Sequence, residues 1–341
     1  MRLPGLCRAA AIGLALLASR ASPAAATTLE AVKARGELVC GLNPNLPGFG
    51  VPDGAGGFGG LNADLCRAVA AAVLGEGAKV RFMPLIAPTR FTALQSGAVD
   101  VLMHNTSWTL SRDTGLGITL TGIDFFDGQA FMVHKSSKVS DLAGLAGASV
   151  CLQQGSTAEL NASDYFRAHG IAFEPVTFSD DDQAAQAFQS GRCDALTSDA
   201  SALAATRLKL ARPDEAETLP EIISKEPIGP AVRKGDDQWF DIVRWTVFAL
   251  IDAEDLGVTR ANVRTLAGGR APDLRRLLGT EGGLGKGLGL PDDWAARAIA
   301  AVGNYGEIFD RNLGAGSPLK LPRGRNASWL SGGLMYAPPV R

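Results

Sequence analysis

The chain has 341 residues, 46% hydrophobic and 20% charged, and its 33 Lys and Arg against 35 Asp and Glu give a formal net charge of −2. That length supports a sizeable core and about two domains, with ordinary globular composition. A near-neutral chain with no basic stripe interleaved with aromatics excludes nucleic acid and other polyanions as partners.

The first 26 residues read as a secretory signal. Arg2 and Arg8 precede an apolar run at 9–18, and small residues follow, ending "PAAATT". Cleavage is expected after Ala26. The run is too short to remain as a membrane span. Cys7 lies ahead of it, badly placed for lipid attachment after cleavage.

Strand and helix signals then alternate. "ELVCGL" (37–42) reads as a buried strand, and "NADLCRAVAAAVLG" (62–75) as a helix stopped by Gly75. "KVRFMPL" (79–85) is a strand, "RFTALQSG" (90–97) a short helix and "AVDVLMH" (98–104) a strand. This rhythm predicts an α/β fold with a mainly parallel sheet flanked by helices. After a strand at 129–135 the pattern restarts with "ASVCLQ", "TAELNASDYFRAHG", "EPVTFS", "DDQAAQAFQSG" and "RCDALTSD". "AVRKGD" (231–236) matches the 129–135 strand in shape, an apolar run and then charge. Two such strands would carry the chain out of one lobe and back. Lobe 1 is then 27–132 plus 231–341, and lobe 2 is an insertion at 133–230. The glycine-rich stretches 53–60 and 279–290 read as loops.

Four cysteines follow the signal: Cys40, Cys66, Cys151 and Cys193. An even number in an exported chain points to disulfides, with three possible pairings. Cys40–Cys66 and Cys151–Cys193 are favoured, because each closes a loop within one lobe. Four buried free thiols are the alternative.

Three fragments place polar residues at the carboxyl ends of strands, where open α/β sheets bind ligands. "NTSWTLSRD" (105–113) crowds Thr106, Ser107 and Thr109 ahead of Arg112. "QQGSTAEL" sets Thr157 at a helix start, and "LTSDASAL" sets Asp199 between a strand and a helix. Helix starts suit an anion. The Arg112 fork fits a carboxylate, and acceptor-only Asp199 suits an ammonium. Singly, such residues are commonly helix caps or surface groups. Jointly they describe an α-amino acid.

These residues carry a resemblance. "GLNADLCRAVAAA", "ALQSGAVDV", "TLSR", "GST" and "SDASAL" resemble the shared patterns of periplasmic substrate-binding proteins of polar amino acid ABC transporters, solute-binding protein family 3. "PEIISKEPIGPAVRKGDDQWFDIV" (220–243), "GNYGEIFDRN" (303–312) and "GGLMYAPPVR" (332–341) are similar to the general L-amino acid subfamily. Nearly the whole mature chain is covered. The resemblance implies a type II two-lobe fold with two hinge strands, a periplasmic location, and broad L-amino acid binding by hinge closure. It further implies delivery to a membrane-embedded ABC permease, a monomer and no cofactor. It implies that Arg112 binds the α-carboxylate, helped by Ser107, Asn105 and the hydroxyl turn with Thr109. Thr157 also touches that carboxylate, and Asp199 binds the α-ammonium. Asn43 and Phe49 shape the side-chain pocket, with Trp108 and Phe131 as further candidates and Arg90 at an often polar position near the cleft. Members selective for basic amino acids often carry an acid near Asn43, so a purely cationic preference is not expected.

Other chemistries fit less well. "GAGGFG" (54–59) matches a dinucleotide fingerprint, but the long loop carrying Pro44, Pro47 and Pro52 is unlike the tight strand–helix turn required. "GLGKG" lacks the hydroxyl residue of a P-loop, and His104, His134 and His169 have no metal spacing. A dehydratase on the same fold needs a general acid in the cleft, for which Glu159 is the candidate. An amino acid-sensing receptor is a further alternative.

Overall fold

The computed structural model describes residues 26–75 and 79–341, so the segment 1–25, with the signal motif, lies outside the described residues. Among the described residues fourteen strands run in chain order. They are β1 (Leu38–Leu42), β2 (Val51–Pro52), β3 (Phe58–Gly59), β4 (Val80–Pro84), β5 (Val101–Met103), β6 (Ile118–Leu120), β7 (Phe125–Asp127), β8 (Gln129–His134), β9 (Ser149–Gln153), β10 (Glu174–Phe178), β11 (Ala195–Asp199), β12 (Ala216–Thr218), β13 (Glu226–Ile228) and β14 (Ala231–Arg233).

Two five-stranded sheets, each flanked by helices, form the cores of two lobes, the architecture of a type II two-lobe fold. The first has the order β4-β1-β5-β14-β6, and the second β10-β9-β11-β8-β12. Each begins with parallel pairings and ends with antiparallel ones. The helix Leu61–Leu74 buries nearly its whole length in the first lobe, because small Ala residues let it lie close to the sheet and to the helix Trp294–Val302. Disulfides Cys40–Cys66 and Cys151–Cys193 tie β1 to Leu61–Leu74 and β9 to the residues just ahead of β11. The C-terminal third adds helices Asp237–Asp255, Trp294–Val302 and Tyr305–Asn312 to the first lobe.

The crossing between lobes differs from the sequence reading. The strand 129–135 does not leave the first lobe: as β8 it pairs with β11 and β12 inside the second sheet. The crossing strands are β7 and β13, paired antiparallel with Phe125 opposite Ile228 and Asp127 opposite Glu226. They are three residues long and carry acids. No apolar run marks them, whereas β8 and β14 are buried strands with a clear signal. The stretch 53–60, expected to be a loop, holds both the turn of the β2–β3 hairpin and the strand β3 itself, and in the turn Asp53 accepts from the N–H groups of Ala55 and Gly57. Among the described residues no helix is long and apolar enough to cross a membrane.

Candidate functional site

A cavity of about 50 Å³ lies where the carboxyl ends of the two sheets face one another. Lobe 1 contributes Asn43, Arg90, His104, Asn105, Ser107 and Arg112, and lobe 2 contributes Gln153, Ser156, Thr157, Asp181, Ser198 and Asp199.

Arg112 lies in the short helix Leu110–Gly115 and is buried. Its Nη1 donates to the Ser107 carbonyl at 2.9 Å, and the Phe91 ring lies 5.5 Å from its guanidinium carbon. Burial lowers its pKa, while Glu226 and Asp199 favour the charge. Asp199 ends β11 and precedes the helix Ala200–Arg207, yet its side chain makes no capping bond. Burial first, then the charges of Asp127 and Glu226, push its carboxyl well above the usual range; Arg112 opposes this. A half-buried acid that makes no capping bond is suited to a cationic guest.

Asn105 adopts φ +47°, which few non-glycine residues tolerate and Asn tolerates best. Its Oδ1 accepts from Asn62 at 2.7 Å, and its buried Nδ2 has no protein partner. The Ser107 hydroxyl lies 3.4 Å from that of Thr157. Thr157 begins the helix Thr157–Ala168 and donates its proton to Glu226 Oε2 at 2.9 Å.

Several expected residues lie elsewhere. Phe49 is fully buried in the lobe 1 core, edge-on to Phe125 at 5.3 Å. It anchors the loop that carries Asn43 rather than lining the pocket. Above it Gly60 has φ +126°, and a Cβ there would meet the Phe49 backbone at 2.3 Å. Thr109 caps the helix Leu110–Gly115, accepting from the Arg112 N–H at 3.3 Å, and does not line the cavity. The Thr106 hydroxyl is buried outside it, and Trp108 lines a separate groove with Phe126 and Arg244. Phe131 packs on Phe166 in the second core. Glu159 does not line the cavity.

The sequence reading did not include Asp181, Glu226 and Asp127. Asp181 sits in the run "SDDD", which signals a helix start and says nothing about the other lobe. In the fold its Oδ2 accepts from Asn43 Nδ2 at 2.7 Å. Burial raises its pKa, while the Asn43 bond and Lys209 lower it. Lys209 donates to the Asn45 carbonyl at 2.6 Å and pairs with Asp182. Arg90 donates to the Gly155 carbonyl at 3.4 Å, and its buried Nε has no protein partner. These bonds span the lobes, so the structure is a closed form. His104 donates from Nε2 to the Leu85 carbonyl at 2.7 Å in its neutral state, because burial first and the Arg90 charge next push its pKa down to about 4. Among the described residues no His, Cys, Asp and Glu group could hold a metal ion.

Two lobes, a two-strand crossing and a polar cavity between the sheets define a two-lobe substrate-binding protein. The chain belongs to the bacterial extracellular solute-binding proteins, family 3, whose sequence pattern matches residues 38–257. It is 53% identical to the general L-amino acid-binding periplasmic protein of Rhizobium johnstonii, over 97% of this chain and 98% of that one. It is 51% identical to the glutamate/glutamine/aspartate/asparagine-binding protein of Rhodobacter capsulatus, over 96% and 97%. Among solved structures, a periplasmic binding protein of an ABC transporter from Brucella ovis with glutathione bound superposes with a TM-score of 0.90. That protein is 52% identical, and the match covers 93% of this chain and all of that one. The two sequence relatives are named for binding.

Proposed function

We propose that this protein binds L-amino acids of several side-chain classes outside the cytoplasm and delivers them to an ABC permease. The observation that carries the reading is the opposition of Arg112 in lobe 1 to Asp199 in lobe 2 across one cavity. A guanidinium fork and an uncapped carboxylate fit the two charges of an α-amino acid. Ser107 and Asn105 assist Arg112 at the carboxylate, and Asn43 shapes the side-chain end.

Arg90 and Asp181 extend the reading to specificity. One donor group and one acceptor group at the same cavity suit acidic and amide side chains, in line with the name of the Rhodobacter capsulatus relative. Closure about the β7–β13 pair follows from tighter binding to the closed than to the open state. The segment 1–26 acts as a cleaved signal for a periplasmic monomer, and no step of chemistry on the ligand is required.

The test is calorimetric titration of the ligand-stripped mature protein. The panel is L-glutamate, L-glutamine, L-alanine, L-arginine, 2-oxoglutarate and glutathione, the last because the Brucella ovis structure holds it. Saturable binding of several L-amino acids with 2-oxoglutarate silent supports the reading. Binding of none of the amino acids refutes it. Turnover of arogenate or prephenate would replace it with the dehydratase reading.

A further inference from the structure

In the crossing ladder Phe126 of β7 faces Pro227 of β13. Residues opposite each other in an antiparallel pair alternate between bonding one another and pointing their backbone groups outward. Proline has no N–H to give, and here both residues point outward. The Pro227 carbonyl accepts from the Trp108 N–H at 2.7 Å. The Phe126 N–H donates to Asn326 Oδ1 at 2.6 Å, and Asn326 Nδ2 donates to the Phe126 carbonyl at 3.0 Å. One asparagine side chain thus does for this edge what a neighbouring strand would do. Two residues earlier on β7's side, the Asp124 carbonyl accepts from the Tyr305 hydroxyl at 2.7 Å. On the β13 side, Gly229 N–H donates to the Thr106 carbonyl at 3.1 Å, and Ser107 bridges Ile228.

Asn326 is itself held in place. It is buried at the end of the short turn Gly324–Asn326. Arg323 Nε donates to its carbonyl at 2.9 Å. The same guanidinium pairs with Glu254 at 3.0 Å and lies over the rings of Tyr305 and Phe309. Further on, the Trp329 indole N–H donates to Asp255 at 2.9 Å. Tyr305 and Asn326 both lie beyond residues 38–257, where the family pattern matches. The next rung of the crossing belongs to the other lobe: Asp127 accepts from the Ser201 N–H at 3.3 Å, and Glu226 from Asn161 at 2.7 Å. Lobe 1 therefore grips the crossing up to the Phe126–Pro227 rung, and lobe 2 takes over one residue later.

We propose that Asn326 is a positioning residue for lobe closure: it fastens β7 to lobe 1 at Phe126, so that the crossing bends only on the lobe 2 side of the Phe126–Pro227 rung. This rests on the reading above that the lobes close on a ligand. The C-terminal segment then serves as a splint on one edge of the crossing, and the turn carrying Ser107 lies along the other edge. The lobe 1 half-site and the fixed end of the crossing move as one body. Without the splint, the ligand-free crossing gains places to bend that closure must give up again.

The experiment compares Asn326→Ala with Trp329→Ala, which alters the same segment without touching β7. Calorimetry with L-glutamate and L-alanine is combined with small-angle scattering and amide exchange resolved at Phe126. Asn326→Ala is expected to weaken both amino acids alike, by about tenfold for one backbone residue that closure must newly order. Its ligand-free radius of gyration should exceed that of the wild type, with the ligand-saturated radii equal. Trp329→Ala should stay within about twofold of the wild type. Unchanged affinity and radius in Asn326→Ala would overturn the proposal, and so would equal losses in the two variants, which would mean that the segment acts through stability alone. If Asn326→Ala does not fold, the wild type decides. Its Phe126 N–H should exchange as slowly as the amides of β5 both with and without ligand. Fast exchange that only ligand suppresses would show that the crossing opens at Phe126 and would sink the idea. A wild type that binds neither amino acid removes the amino acid reading, and the ligand-free exchange at Phe126 still judges the splint by itself.

Discussion

The side-chain amide of Asn43 donates to Asp181 at 2.7 Å, joining the loop after β1 to the start of the helix Asp181–Gln189 in the other lobe. The bond exists only when the lobes are closed. Asp181→Ala therefore removes a contact from the closed state alone and should favour the open state by about 1 kcal/mol. Affinity for every ligand should fall several-fold, and more for amide side chains. Small-angle scattering of the ligand-free variant should show a larger radius of gyration than the wild type. An unchanged radius and affinity would remove Asp181 from the latch.

Arg112 is buried with one of its amine groups on the Ser107 carbonyl. Arg112→Ala takes away the rest of the fork from the ligand carboxylate. Losing one partner of a desolvated charge pair costs about 3 kcal/mol, over a hundredfold in affinity. Titration with L-glutamate and L-alanine measures it, and both should suffer alike. A loss below threefold would place the carboxylate elsewhere.

Asp199→Asn keeps the shape of the site and removes its charge. Amino acids should weaken far more than the keto acids of the same skeleton. Equal weakening would mean that the ammonium lies away from Asp199. The same group predicts a pH effect. Burial raises the Asp199 carboxyl and holds neighbouring Asp127 at about 6, so this cluster takes up a proton as pH falls through about 6. Binding an ammonium drives that proton off, and affinity should rise with pH from 5 to 8. Calorimetry in buffers of different ionisation enthalpy should detect net proton release near pH 6. Proton uptake would contradict the assignment.

His104 gives a stability prediction of its own. Its pKa drops from 6.5 to about 4 on folding, through burial and then the Arg90 charge. The folded state keeps the imidazole neutral where the unfolded chain would protonate it. The contribution is fully present above about pH 6.5 and is lost as pH falls toward 4, on the order of 3 kcal/mol in total. His104→Gln retains a donor for the Leu85 carbonyl and should flatten that part of the decline. Denaturant melts at pH 7 and pH 4.5 compare the two slopes; parallel slopes would refute the account.

The Cys151–Cys193 bond closes a loop of 42 residues within lobe 2. The chain-entropy model assigns such a loop about 4 kcal/mol. Replacing both cysteines with serine should lower the unfolding free energy by that order. Titration at low temperature, where the variant stays folded, should show the ligand affinity little changed, since neither cysteine lines the cavity.

The sequence alone determined the βα alternation, because strands and helices of this chain bury regular apolar faces that show as periodicity. It also placed Arg112, Thr157 and Asp199 at the carboxyl ends of strands, since that placement follows from the alternation itself. Which hydroxyls face the cavity was decided by the fold: Ser107 lines it, while one residue away Thr106 is buried and Thr109 caps a helix. Phe49 reads as a pocket aromatic and is core, because the loop folds back so that Leu61 N–H bonds the Gly48 carbonyl. The crossing strands carry acids where a buried strand would carry apolar residues, so their pattern is silent. Asn43 with Asp181, and Asp127 with Glu226, are 138 and 99 positions apart. Local periodicity reports what a segment buries against its own neighbours. Only the closure of two lobes brings such distant side chains within hydrogen-bond reach, and the cavity between the lobes exists at that level alone.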